Sequence, residues 1–156
     1  MLYPTAQAYN FAVLSLNETA CIQLLKQGKA RLIGQRPIVY AGGYSRVYMI
    51  DLPQGTGALR CWTAEVKDAK ERYGITEHYL RGLGLPYFVP FEYVDQCLLV
   101  QKSVYPALFM EWVQGETLAE FVAAHFQDAR LMRLLADEFS HMVKVLHDQQ
   151  IAHGDL

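Results

Sequence analysis

From Gly34 onward apolar and polar positions alternate in short blocks, and beyond Gly115 the apolar spacing lengthens to three and four residues. Pro37 to Tyr40 and Ser45 to Asp51, separated by Gly42-Gly43, read as two strands of a hairpin. The turn Pro53-Gln54-Gly55-Thr56-Gly57 leads into a third strand, Ala58 to Thr63. A helix is expected from about Ala69 to Arg81, capped by Asp68, with Ile75, Tyr79 and Leu83 on one face and Pro86 and Pro90 closing it. Phe91 to Val94 and Cys97 to Gln101 alternate as strands, and Pro106 to Trp112 is a further apolar strand. Leu118, Phe121 and Val122 mark a short helix, and Leu131, Leu135, Phe139, Met142 and Leu146 mark a long one. Near the amino terminus, Glu18 to Lys29 predicts a short helix with Asn17 as N-cap and Gly28 near its end, behind an aromatic, irregular leader. The order is three strands, one helix, two or three strands, then helices alone. That is an α+β layout, a small antiparallel sheet lobe in front of a helical lobe; a doubly wound parallel sheet would alternate strands with helices.

Composition changes this picture little. The 156 residues are 52% hydrophobic and 19% charged, enough apolar content to build a core. The formal net charge is -2, without a long basic run, which argues against nucleic acid or a membrane surface as partner. Cys21, Cys61 and Cys97 form neither a CxxC pair nor a disulfide framework, so reduced, buried thiols are expected. The Met1-Leu2-Tyr3-Pro4-Thr5 start lacks the features of a signal peptide. Apolar stretches such as Tyr105 to Met110 fall far short of the roughly 20 residues that span a bilayer. The expected location is cytoplasmic.

Four segments carry candidate chemistry. In Tyr40-Ala41-Gly42-Gly43-Tyr44-Ser45-Arg46-Val47-Tyr48, residues without Cβ sit at a strand turn, where backbone N–H groups could press against phosphate oxygens. Gly57-Ala58-Leu59-Arg60 ends a strand on a cation. Leu108-Phe109-Met110-Glu111-Trp112-Val113-Gln114-Gly115-Glu116-Thr117-Leu118 leaves a strand as an extended segment and enters a helix that Thr117 caps. His153-Gly154-Asp155-Leu156 follows the long helix.

In this order the four segments resemble the ATP-binding half of the protein-kinase-like superfamily, over Pro37 to Leu156. The first resembles the glycine-rich loop, with Gly42 as the middle glycine and Tyr40 and Ser45 where the outer two would stand. The resemblance implies that Gly42, Gly43, Tyr44 and Ser45 cradle the ATP phosphates, with Tyr44 at the loop tip and Val47 against adenine. The second matches the V-A-I-K strand, implying Ala58 in the adenine pocket and Arg60 on the phosphates; arginine brings a planar fork where the family has a compact ammonium. Glu71, in preference to Glu77, would hold that cation. The third resembles the hinge, implying Met110 as gatekeeper and backbone hydrogen bonds to adenine from Glu111 and Val113. The fourth is similar to the catalytic loop, implying Asp155 as the base that accepts the acceptor hydroxyl proton.

Gly154, where most eukaryotic protein kinases carry arginine, is similar to aminoglycoside and choline phosphotransferases and to atypical microbial protein kinases. The glycine loop resembles the protein kinases more closely, implying transfer from ATP to a protein Ser/Thr hydroxyl. A small-molecule hydroxyl acceptor and a nucleotide-binding pseudokinase are the alternatives. Mg is the implied cofactor, with ligands expected beyond residue 156, so the chain reads as part of a longer kinase. On that basis residues 1–33 form a leader and helix, 34–113 the sheet lobe and hinge, and 114–156 the start of the helical lobe.

Overall fold

The strand over Ser45–Leu52 has a partner along both edges, and the rest of the sheet is laid out from it. The computed structural model describes residues 3–152, and among these it is α+β, with an antiparallel sheet and six helices. The chain divides into two units after Val113. In order, the first contains α1 (Ala6–Leu14), α2 (Leu16–Thr19), α3 (Gln23–Lys26), β1 (Lys29–Ala30), β2 (Leu32–Ile33), β3 (Arg36–Pro37), β4 (Val39–Ala41), β5 (Ser45–Leu52), β6 (Gly55–Trp62), α4 (Ala69–Leu83), β7 (Phe91–Val100) and β8 (Ser103–Glu111). The second contains α5 (Leu118–His125) and α6 (Ala129–Asp148).

The main sheet runs β1-β5-β6-β8-β7, and β4 joins β1 in pairing with β5; β2 and β3 form a separate small hairpin. Side chains alternate across a strand, so the register sorts residues onto two faces. Tyr48 opposes Leu59, Ile50 opposes Gly57, and Leu59 and Cys61 oppose Phe109 and Ala107. This face meets Tyr9, Ala12, Val13, Leu16 and Leu25 from α1 to α3 in a single core cluster. Tyr9 Oη donates to the Trp62 carbonyl at 2.9 Å, and Tyr48 Oη to Asn10 Oδ1 at 2.8 Å. The opposite face carries Trp62, Tyr93 and Phe91, and Tyr73 of α4 packs among them with ring centroids 5.6 to 6.2 Å apart.

Several expectations change. The leader is not irregular: Thr5 caps α1, its side chain accepting from the Ala8 amide, and α1 is part of the core. The helix read over Glu18 to Lys29 is broken, because Ala20 bridges Leu98 and the Cys21 amide donates to the Cys97 carbonyl at 2.8 Å. Phe91 to Val94 and Cys97 to Gln101 are one strand, β7, with a register shift between Val94 and Leu98. Asp68 stands at the start of α4 in a left-handed conformation (φ 54°), and its side chain makes no capping bond. The helix runs on to Leu83 and stops at Gly84 (φ 59°), whose amide reaches the Leu80 carbonyl, a left-handed stop that suits glycine.

The cysteines are unpaired, with Cys61 and Cys97 buried and Cys21 exposed. Burial pushes the Cys97 thiol up to about 12 and the Cys61 thiol well above its ordinary value. In the second unit Thr117 and Glu120 form a reciprocal capping box for α5, and Asp128 accepts from the amides of Arg130 and Leu131 to cap α6. Leu118 and Val122 line an apolar groove with Met132, Leu135 and Phe139. Among the described residues no helix is long and apolar enough to cross a membrane.

Candidate functional site

The hairpin between β4 and β5 is closed by the Gly42 amide donating to the Ser45 carbonyl, and is tied to the end of β6 by the Thr63 amide donating to the Tyr44 carbonyl, both at 2.9 Å. Those bonds occupy the Gly42 N–H. Among the described residues no acceptor takes the N–H of Gly43 or Tyr44, so two successive amides at the loop tip remain open. A Cβ on Gly42 would make only ordinary contact with Ser45, and one on Gly43 would meet nothing within 4 Å. The chain's own packing therefore does not call for glycine at either position.

Ser45 is buried, and its Oγ accepts from Arg60 Nε at 3.1 Å. The bond fixes the guanidinium beside the hairpin, and among the described residues the rest of its fork has no partner. Register then places the neighbours: Val47 opposes Arg60, Met49 opposes Ala58, and Ala58 opposes Met110. Ser45, Val47, Ala58, Arg60 and Met110 consequently share one face of the sheet, the face away from α1 to α3. Their separation along the sequence hides this, since the five come from β5, β6 and β8.

Glu111 opposes Gly57, and the next amide, Trp112, donates to the Thr56 carbonyl at 3.0 Å. Backbone groups alternate sides along a strand, so the Glu111 carbonyl and the Val113 amide point away from β6. An extended edge of this kind presents an acceptor and a donor side by side. Val113 itself is exposed. Beside these residues Tyr40 and Trp112 bring their ring centroids to 5.4 Å. The sequence pattern does not single out Trp112; its one signal is an aromatic residue inside the extended segment.

The structure does not bring a glutamate to Arg60. Glu71 lies exposed in the first turn of α4, and Glu77 is ion-paired with Arg81 one turn later. Asp155, the expected base, and its neighbours His153 and Gly154 lie outside the described residues. Among the described residues no cluster of His, Cys, Asp or Glu could hold a metal ion. A separate apolar cavity of about 150 Å³, lined by Leu80, Leu85, Phe88, Val89 and Phe91, lies between the end of α4 and the start of β7; of the candidate residues only Glu77, the less favoured partner for Arg60, is in its lining. No protein-family model, curated protein or solved structure matches the chain.

Proposed function

We propose that this chain is the ATP-binding part of a protein-kinase-like phosphotransferase that moves the γ-phosphate of ATP to a protein Ser/Thr hydroxyl. The observation that carries the reading is the shared sheet face of Ser45, Val47, Ala58, Arg60 and Met110, set by register across three strands. On this reading the open amides of Gly43 and Tyr44 donate to phosphate oxygens. Arg60, steadied by Ser45, offers its free N–H groups to the same oxygens. Val47, Ala58 and Met110 supply an apolar seat for adenine, whose edge bonds to the Glu111 carbonyl and the Val113 amide. Asp155 takes the acceptor's proton and aligns its oxygen for in-line attack. Mg, the implied cofactor, would neutralise charge developing on the phosphates.

Nucleotide binding without transfer is the second reading, favoured by one observation: Arg60 is held by Ser45 and by neither glutamate of α4. Two measurements on the protein carrying any downstream sequence separate these. Mg-ATP should raise the melting temperature, since a ligand that binds only the folded state stabilises it by mass action. Asp155→Asn should abolish phosphate transfer to protein while leaving that shift nearly intact. No shift at millimolar Mg-ATP would sink both readings, and a shift without transfer by the wild type would leave the second.

A further inference from the structure

Tyr40 and Trp112 touch although two strands separate them. Tyr40 lies on β4 opposite Val47, and Trp112 follows β8, held in register with β6 by its bond to Thr56. The sheet order puts β5 and β6 between them. Neighbouring strands stand about 4.8 Å apart, so the two backbones are separated by about 14 Å. Rings with centroids 5.4 Å apart must therefore reach toward each other across the face of β5 and β6. The face is identified by alternation: Tyr40 shares that of Val47, and Trp112 that of Met110 and Ala58. Beneath the reach of the rings Met49 and Ala58 are only 7% and 4% exposed.

The contact is not a core contact. Tyr40 is 55% exposed, and the rings meet at 37°, neither stacked nor edge-on. Aromatic pairs gain most in offset-stacked or T-shaped geometries, so this one is easily parted. A flat base entering between the rings would replace one poor ring contact by two good ones.

We propose that Tyr40 and Trp112 are an aromatic clamp that opens to hold a purine base between its rings. The inference rests on the nucleotide reading above, and the test keeps the two apart. Titrating the full chain with ATP and with adenosine should quench Trp112 emission, and the quench should vanish in Trp112→Phe, which retains only the buried Trp62. Tyr40→Ala and Trp112→Ala should each weaken ATP binding at least about fivefold, the lower end of what base–aromatic stacking contributes. Tyr40→Phe and Trp112→Phe should stay near the wild type, and tripolyphosphate binding should be unchanged in all four. If the wild type binds ATP and the alanine variants bind it equally or more tightly, the clamp is wrong and the nucleotide site stands. If the wild type binds neither ATP nor adenosine, both fall.

Discussion

Two glycines of this sheet, Gly57 and Gly43, stand in opposite packing environments and should part company on substitution. A Cβ on Gly57 would come within 2.6 Å of Phe109 Cε2 and 2.8 Å of its Cζ, on the face packed against the amino-terminal helices. Phe109 cannot turn aside freely there, because it packs against the buried core cluster. Gly57→Ala should therefore lower stability by about 1–3 kcal/mol in urea unfolding, the ordinary range for overpacking. Gly43→Ala meets open space and should leave the unfolding midpoint unchanged. Its effect should instead fall on ATP affinity, if the open amides at the hairpin tip receive phosphate. Equal destabilisation by the two changes would show that both glycines serve the fold.

At the scale of elements, local signals were legible and distant ones were not. The Thr117 cap is a local signal read from the sequence, and Glu120 completes it as a reciprocal box: Thr117 accepts from the Glu120 amide, and Glu120 accepts from the Thr117 amide and hydroxyl. The backbone bond from Thr117, followed by the side-chain bond, holds the Glu120 carboxyl below its ordinary value. A lowered carboxyl pKa stabilises the folded form above the unfolded value and loses that contribution as pH falls through the folded one. The first turn of α5 should thus fray only once pH falls below the ordinary glutamate range. Thr117→Ala should cost about 1 kcal/mol of helix stability and speed hydrogen exchange at the Glu120 and Phe121 amides at neutral pH. Unchanged exchange would mean that tertiary contacts, not the cap, fix this helix end.

The elements that were misread depend on partners far along the chain. The supposed helix over 18–29 is interrupted because Ala20 and Cys21 bond to Leu98 and Cys97, which no local pattern announces. The shift in β7 is similar: Asp95 and Gln96 look like a turn, yet the pairing with β8 resumes beyond them at Leu98. The helix α1 was within reach, since Thr5 is a capping residue and Tyr9, Ala12, Val13 and Leu16 are spaced by three, one and three. Exposed Phe11 and Leu14 on the other side blur that stripe. The candidate site was legible as residue types in order. What brings them together is register, and Val47 opposite Arg60, with Ala58 opposite Met110, becomes visible only once the strands pair.

For the whole of the first unit, these two faces give the amino-terminal segment a definite task. One face of the sheet carries the candidate nucleotide residues and the aromatic pair, and the other is closed by α1 to α3. The helices α1 to α3 are then a backing for the sheet, and β1 behind them is one of its strands. Removing them would bare Tyr48, Ile50, Leu59 and Cys61, each now at 0% exposure. Burying an aliphatic or aromatic side chain of this size stabilises by about 1.5–3 kcal/mol, so losing cover from several at once exceeds the net stability of an ordinary domain. A protein starting at Gly34 should aggregate or lose its cooperative melt. Leu16→Ala, which removes one side chain from the backing, should cost about 2–5 kcal/mol and leave a folded protein. Because Leu16 faces away from Ser45, Val47 and Arg60, on the proposed function that variant should bind ATP with unchanged affinity below its melting temperature. A loss of affinity in still-folded Leu16→Ala would mean that the backing also sets the geometry of the candidate nucleotide face, and the two faces could no longer be treated as independent.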